Sequence, residues 1–91
     1  NWNGCQYAVL MHMLAQGCDM RVGELVHVIA DAHIYDRHVD LVRELIQREQ
    51  HLAPKFSLNP DIKDFYQFTT DDITITDYVT GPQIKNIPVA I

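Results

Sequence analysis

Three polar side chains with complementary chemistry occupy alternate positions of an otherwise apolar stretch: Asp31, His33 and Tyr35. Residues two apart on a β-strand point to the same face, so a strand here would aim all three at one place. A carboxylate, an imidazole and a phenol together offer donors and acceptors, which suits the binding of a ligand hydroxyl. From the spacing alone, the hydrogen-bonded polar end of a core strand is the favoured interpretation, and ligand binding is the alternative.

Asn3 and the last five residues are two further places where the sequence indicates binding. Asn3 comes before an apolar helix, where it would either cap the helix or pair with an imide edge such as that of uracil. Residues 87–91 form an apolar run that includes Ala90 and Ile91. Chain ends are usually polar and loose, so we expect this run to dock into the fold or onto a bound ligand.

Metal binding and cysteine chemistry are not favoured by the sequence. The closest histidines in the chain, His27, His33 and His38, lack a His-Glu-x-x-His pattern and straddle a predicted strand–helix junction, so we predict no metal site. Cys5 and Cys18 are too few for a disulfide framework. We expect both to be small buried side chains in a reducing, cytoplasmic protein.

Composition excludes several classes of function. The net charge of −5 argues against binding to nucleic acid or to an anionic membrane surface. The apolar runs are too short for a membrane span. A length of 91 residues allows one small domain with a marginal core. Because the sequence starts without Met and without a signal peptide, we expect a truncated or trimmed chain.

Two helices and three strands are predicted to position these residues. The apolar helix should be buried and stop at Gly17, and the second helix should be amphipathic and end before Pro54. The predicted elements are a helix over residues 6–16, a strand over 25–35, a helix over 36–51 and strands over 55–58 and 73–76. The inward stripe predicted for the second helix is Val39, Val42, Leu45 and Ile46.

These features together resemble the C-terminal third of the thymidylate synthases. The family's Asn, its Tyr four positions later and its apolar helix correspond to residues 3–7 (Asn-Gly-Cys-Gln-Tyr) and 11–13 (Met-His-Met). The family's Asp-x-His-x-Tyr corresponds to residues 31–35, and its closing Pro-Val-Ala-Ile to residues 88–91. Each motif is weak by itself, but their shared order and spacing make the combination specific.

The resemblance implies a fold of the α/β (α+β) class. The fold would be a thymidylate synthase-like sandwich with a mostly antiparallel sheet, of which residues 1–91 form the C-terminal portion, with two main helices. The family methylates deoxyuridylate (dUMP) to thymidylate (dTMP), and 5,10-methylenetetrahydrofolate supplies the one-carbon unit and a hydride. A Cys thiolate adds to the uracil ring, and two sheets pack face to face in an obligate homodimer.

The resemblance also implies roles for individual residues. Asn3 would bind the uracil imide edge, His33 and Tyr35 would hold the sugar 3′-hydroxyl, and the tail through Ala90 and Ile91 would close over the folate. The family's Pro-Cys-His segment and its Arg-rich phosphate-binding segment do not occur in this sequence. We therefore expect no catalytic residue here and no activity from these residues alone.

One departure and two alternatives accompany this interpretation. Residues 27–30 (His-Val-Ile-Ala) stand where many members have Trp-Thr-Gly-Gly, which affects the expected dimer contact. The first alternative is a deoxycytidylate hydroxymethylase of the same fold; that relative uses Asp where this chain has Asn3, so Asn3 favours uracil. The second alternative is a non-catalytic binding or dimerisation module.

Overall fold

Two α-helices and a two-stranded antiparallel sheet make up most of the regular structure in the described part of the chain. The computed structural model describes residues 2–89. The helices are α1 (Trp2–Gly17) and α2 (Val39–Gln47), and the strands are β1 (Lys55–Leu58) and β2 (Ile73–Thr76). Three short 3-10 turns lie at Asp36–His38, Phe65–Gln67 and Thr70–Asp72. Among the described residues, no helix is long and apolar enough to cross a membrane.

The C-terminus of α1 is closed by backbone hydrogen bonds and not by its glycine. Met20 N–H donates to the Ala15 carbonyl at 2.8 Å and Asp19 N–H to the Gln16 carbonyl at 3.3 Å, which are the paired bonds of a Schellman motif. Asp19 takes the left-handed conformation, with φ of 54°, which Asp tolerates better than most residues. The helix ends at Gly17, as predicted, but the left-handed C′ residue is Asp19 and not Gly17.

The strand predicted over residues 25–35 is not formed. No strand pairs with this stretch in the part of the chain that the structure describes, and backbone N–H and C=O groups need a ladder partner to form a sheet. Its apolar side chains are exposed, with Val28 at 82%.

α2 is amphipathic, but only half of its predicted apolar stripe is covered. Val39 and Val42 are half-buried, whereas Leu45 and Ile46 are exposed. The helix follows a 3-10 turn and ends at Gln47, which is four residues before the predicted end. Of the two exposed residues, Leu45 borders a depression that Thr80 and Gly81 also line.

The two strands pair antiparallel, and Asn59 bonds to Asp72 at the two ends of the connection between them. Lys55 pairs with Thr76 at one end of the sheet and Leu58 with Ile73 at the other; the sequence predicted both strands but not their pairing. Just beyond β1, Asn59 donates its side-chain amide to Asp72 Oδ1 at 3.0 Å and its backbone N–H to the Asp72 carbonyl at 2.8 Å. These two bonds join the two ends of the loop over residues 59–72.

α1 is attached to this loop and to β1 through its C-terminal half. The Gln16 amide nitrogen donates to the backbone carbonyls of Asn59 and Ile62, each at 2.8 Å, which uses both of its N–H donors. One turn earlier, the His12 ring lies 4.7 Å from the Phe56 ring, centroid to centroid. These contacts set the angle between α1 and the sheet.

Asp72 contributes to the stability of this loop in a pH-dependent way. Thr69 N–H donates to its carboxylate at 2.8 Å, and this bond, followed by the Asn59 side chain, lowers the pKa of Asp72. A carboxyl with a lowered pKa in the folded state stabilises the fold above its unfolded pKa. That stabilisation is lost as the pH falls through the folded pKa.

Replacing Asp72 should therefore change the acid stability of a folded protein that contains this chain. We expect the difference in free energy of unfolding between the unsubstituted protein and Asp72→Asn to shrink as the pH falls below about 4. Urea unfolding at a series of pH values measures this difference. Asp71→Asn, at an exposed neighbouring position, is the control. A difference for Asp72→Asn that does not vary with pH would contradict the prediction.

The described residues have no buried core. No side chain among residues 2–89 is buried, and the total accessible surface is 8434 Å². A folded monomer of 10.5 kDa exposes only about 5,400 Å². The radius of gyration is 16.8 Å, whereas a compact chain of this length has about 12 Å. The two helices and the two-stranded sheet therefore form an open arrangement in which apolar side chains are exposed to solvent.

This openness corrects two predictions about burial. α1 was predicted to be a buried helix, but its most enclosed residues are only half-buried and Trp2 and Tyr7 are exposed. Cys5 and Cys18 were predicted to be buried and are free and exposed. The physical reason is the same in both cases, because no second layer of described residues covers this helix.

Candidate functional site

His33 and Tyr35 lie side by side just before α2. Their ring centroids are 5.0 Å apart and their planes meet at 85°, an edge-to-face contact that aromatic rings favour. The two-residue spacing predicted that they share a face. The His33 side chain is 51% exposed and Tyr35 is 52% exposed, so both rings are about half accessible to solvent.

The hydrogen bond of His33 determines which ring nitrogen is free. Nδ1 lies 3.0 Å from the backbone carbonyl oxygen of Asp31, and a carbonyl only accepts, so Nδ1 carries the proton. In the neutral ring, Nε2 is then a lone-pair acceptor. The Tyr35 hydroxyl is both donor and acceptor. Together the two side chains present an acceptor and a donor to a ligand hydroxyl.

Asp31 orients this pair through its backbone and not through its carboxylate. The distance from its Oδ1 to His33 Nδ1 is 3.6 Å, and its side chain is 93% exposed. A separation of that length is not a hydrogen bond. The structure therefore brings together two of the three polar residues that the sequence singled out and leaves the third in solvent.

Asn3 lies in the first turn of α1, at a different place on the surface. The helix begins one residue before it, so the prediction that Asn3 is the N-cap is wrong. Asn3 borders a depression that is also lined by Tyr7 and residues 25–28. α1 and this segment approach closely, since a Cβ on Gly4 would lie 3.8 Å from the His27 ring. The Asn3 amide is exposed and open to a partner.

The stretch from residue 25 to residue 35 links these two places. Its beginning borders the depression beside Asn3, and its end carries His33 and Tyr35. The depression itself does not include the His33–Tyr35 pair. The predicted binding residues therefore lie at the two ends of one unpaired, exposed segment.

The C-terminal segment is fastened to the start of α2 by two neighbouring side chains. His38 Nε2 lies 2.7 Å from the Pro88 carbonyl oxygen. Arg37 Nη1 donates to the Val89 carbonyl at 3.3 Å. Sequence reasoning did not predict these contacts, because the acceptors are main-chain carbonyls 50 and 52 residues away and every residue has such a carbonyl.

A third donor holds the same segment at the other end of α2. Arg48 donates to the Pro82 carbonyl at 2.8 Å, while its second terminal nitrogen bonds Glu44 at 2.8 Å. The segment that follows the sheet therefore runs back along α2, held at both ends. Ala90 and Ile91, which were predicted to close over a ligand, lie outside the described residues.

Known proteins of one family match this chain both in sequence and in structure. The sequence model of the family described as thymidylate synthase matches residues 1–91. The thymidylate synthase of Leuconostoc mesenteroides is 44% identical over 90 residues, which are 99% of this chain and 28% of that protein. That of Bacillus licheniformis is 46% identical over 83 residues, 91% of this chain and 30% of that protein. The chain thus spans less than a third of the length of these relatives.

A solved structure matches the fold as well. Thermostable thymidylate synthase A from Bacillus subtilis superimposes with a TM-score of 0.87 at 41% identity, and the match covers 90% of this chain and 30% of that one. The open arrangement of helices and hairpin is therefore nearly the path that the corresponding residues follow inside a much longer chain.

Proposed function

The chain belongs to the thymidylate synthase family, and on that premise we propose that its 91 residues form the C-terminal portion of a single-domain thymidylate synthase. The whole protein would methylate dUMP to dTMP with 5,10-methylenetetrahydrofolate as the donor. This portion would provide the nucleotide-binding residues Asn3, His33 and Tyr35 and the tail through Ala90 and Ile91. It would be inactive alone, because the nucleophilic Cys would come from another part of the protein.

The large uncovered surface is the observation that carries this proposal. The chain exposes about 3,000 Å² more than a folded monomer of its mass. Obligate subunit interfaces bury roughly 2,000–5,000 Å² in total, which is roughly half as much on each partner. The excess is therefore larger than one dimer contact usually covers. The remaining length of a thymidylate synthase would cover it.

The geometry of His33 and Tyr35 suits the proposed nucleotide. A sugar hydroxyl donates one hydrogen bond and accepts others. The free Nε2 of His33 accepts, and the Tyr35 hydroxyl donates. An Asn amide is equally suited to a uracil imide, because its carbonyl accepts from the ring N–H and its amino group donates to a ring carbonyl. These are proposed roles for Asn3, His33 and Tyr35.

We further propose that the whole protein is a cytoplasmic homodimer whose two sheets pack face to face. The stretch over residues 25–35 supports this arrangement, because it alternates like a strand, exposes its apolar side chains and lacks a partner in the described chain. It would become a strand once the rest of the sheet is present.

An assay with and without the remaining sequence tests the proposed function. We define the chimera as Bacillus subtilis thymidylate synthase A in which these 91 residues replace the matched part. We expect the isolated chain to release no proton from C5 of dUMP, and the chimera to release it and form dTMP when 5,10-methylenetetrahydrofolate is present. Changing the Cys of the family's Pro-Cys-His segment in the chimera to Ala should abolish the reaction.

Two results would contradict the proposal. A chimera that folds as a dimer but forms no dTMP would indicate a non-catalytic module. Proton release by the isolated chain that disappears in Cys5→Ala or Cys18→Ala would place a nucleophile in the chain itself.

A further inference from the structure

His38 contacts both the predicted nucleotide residues and the C-terminal segment. Its ring centroid lies 5.7 Å from that of Tyr35, with the planes at 86°. Its Nε2 lies 2.7 Å from the Pro88 carbonyl oxygen. His38 is also half-buried, although the residues immediately before it are exposed. One side chain therefore joins two parts of the chain that are far apart in sequence.

The chemistry of this contact defines a directed attachment. A carbonyl oxygen only accepts, so His38 Nε2 carries the hydrogen, and 2.7 Å is at the short end for an N–H···O bond. Arg37 adds a bond to the next carbonyl, that of Val89. Two adjacent side chains thus hold two adjacent carbonyls. Two points fix the direction of the segment as well as its position, and Pro88 restricts its own φ.

We propose that His38, together with Arg37, is a positioning residue for the methylation reaction. The pair fixes residues 88 and 89 against the start of α2, and the ring of His38 connects that attachment to Tyr35, a proposed nucleotide-binding residue. This inference rests on the proposed function, since the tail would act on the bound folate. His38 itself touches neither substrate and acts through the segment that it holds.

Two substitutions test the hydrogen-bond donor of His38 and its aromatic ring separately. His38→Phe keeps an aromatic ring against Tyr35 but has no hydrogen to donate. His38→Gln keeps an N–H donor at similar reach but has no ring. If the attachment of the tail matters, the donor is the feature that must be retained. If His38 only packs the start of α2, the ring is the feature that must be retained.

Steady-state kinetics of the chimera provide the main test. We expect His38→Phe to lower kcat/KM for 5,10-methylenetetrahydrofolate by about 2- to 10-fold, the usual effect of losing one hydrogen bond. The Kd for dUMP should change by less than about twofold. His38→Gln should retain most of the activity of the unsubstituted chimera. Arg37→Met should have a smaller effect than His38→Phe, since its bond is longer.

Limited trypsin digestion tests the attachment of the C-terminal segment directly, independently of catalysis. The bond after Lys85, an exposed residue in the held segment, should be cut faster in His38→Phe than in the unsubstituted chimera. Cleavage after Lys63, in the loop between the strands, is the internal control and should not change.

The outcomes distinguish this inference from the proposed function. An unsubstituted chimera without activity would overturn the proposed function. An active chimera in which His38→Phe behaves like the unsubstituted protein would overturn only the role of His38. The same holds if His38→Phe lowers dUMP affinity and folate kcat/KM by equal factors, or if His38→Gln is as impaired as His38→Phe.

Discussion

Removing Ala90 and Ile91 from the chimera should lower kcat about a hundredfold while the Kd for dUMP stays within about twofold of its original value. In the proposed function the tail closes over the folate, excludes water and holds the methylene donor near the uracil ring. Small misplacements of reacting groups have large effects on the chemical step. The nucleotide contacts proposed at Asn3, His33 and Tyr35 are not in the tail, so nucleotide binding should be spared.

The measurement for this prediction is paired. Turnover is measured with saturating substrates, and dUMP affinity by equilibrium titration without folate. Ile91→Leu keeps an apolar side chain of the same size and is the matched control, with near-normal turnover expected. If the truncation lowers kcat and dUMP affinity by the same factor, or lowers neither, the tail is a structural strap and not a lid.

Asn3→Asp in the chimera should reduce discrimination against deoxycytidylate by about 1–3 kcal/mol, or roughly 5- to 150-fold in relative affinity. An ionised Asp only accepts hydrogen bonds, so it opposes a uracil carbonyl and accepts from a cytosine amino group. The structure makes this substitution a clean test. Asn3 lies in the first turn of α1, where a carboxylate is favourable to the helix dipole, so the helix should not be weakened.

Competition between dUMP and deoxycytidylate for the same site checks this result. Gln6→Glu places a negative charge at an exposed position on the same helix and controls for a general electrostatic effect on nucleotide affinity. Should both affinities move together in Asn3→Asp, then Asn3 serves the helix alone and does not recognise the base.

Local patterns were sufficient to predict several elements. The positions of β1 and β2, the turn at Asn59 and the existence of both helices follow from alternation, from helical periodicity and from breakers. His33 and Tyr35 are close, as their spacing predicted, although the strand on which that prediction rested is not formed. The sequence could also have predicted a capping box, because Thr69 and Asp72 have its spacing and form one.

The sequence by itself determined the two helices, the two short strands and, through the order of its motifs, the family to which the chain belongs. Tertiary structure decided which surfaces are covered, because burial depends on what lies opposite a face and not on the residues within it. That is why α1 and Cys5 are uncovered here and why residues 25–35 form no strand. It also decided the attachments of Gln16 and His38, because their acceptors are backbone carbonyls, and only the fold selects which carbonyl comes within reach.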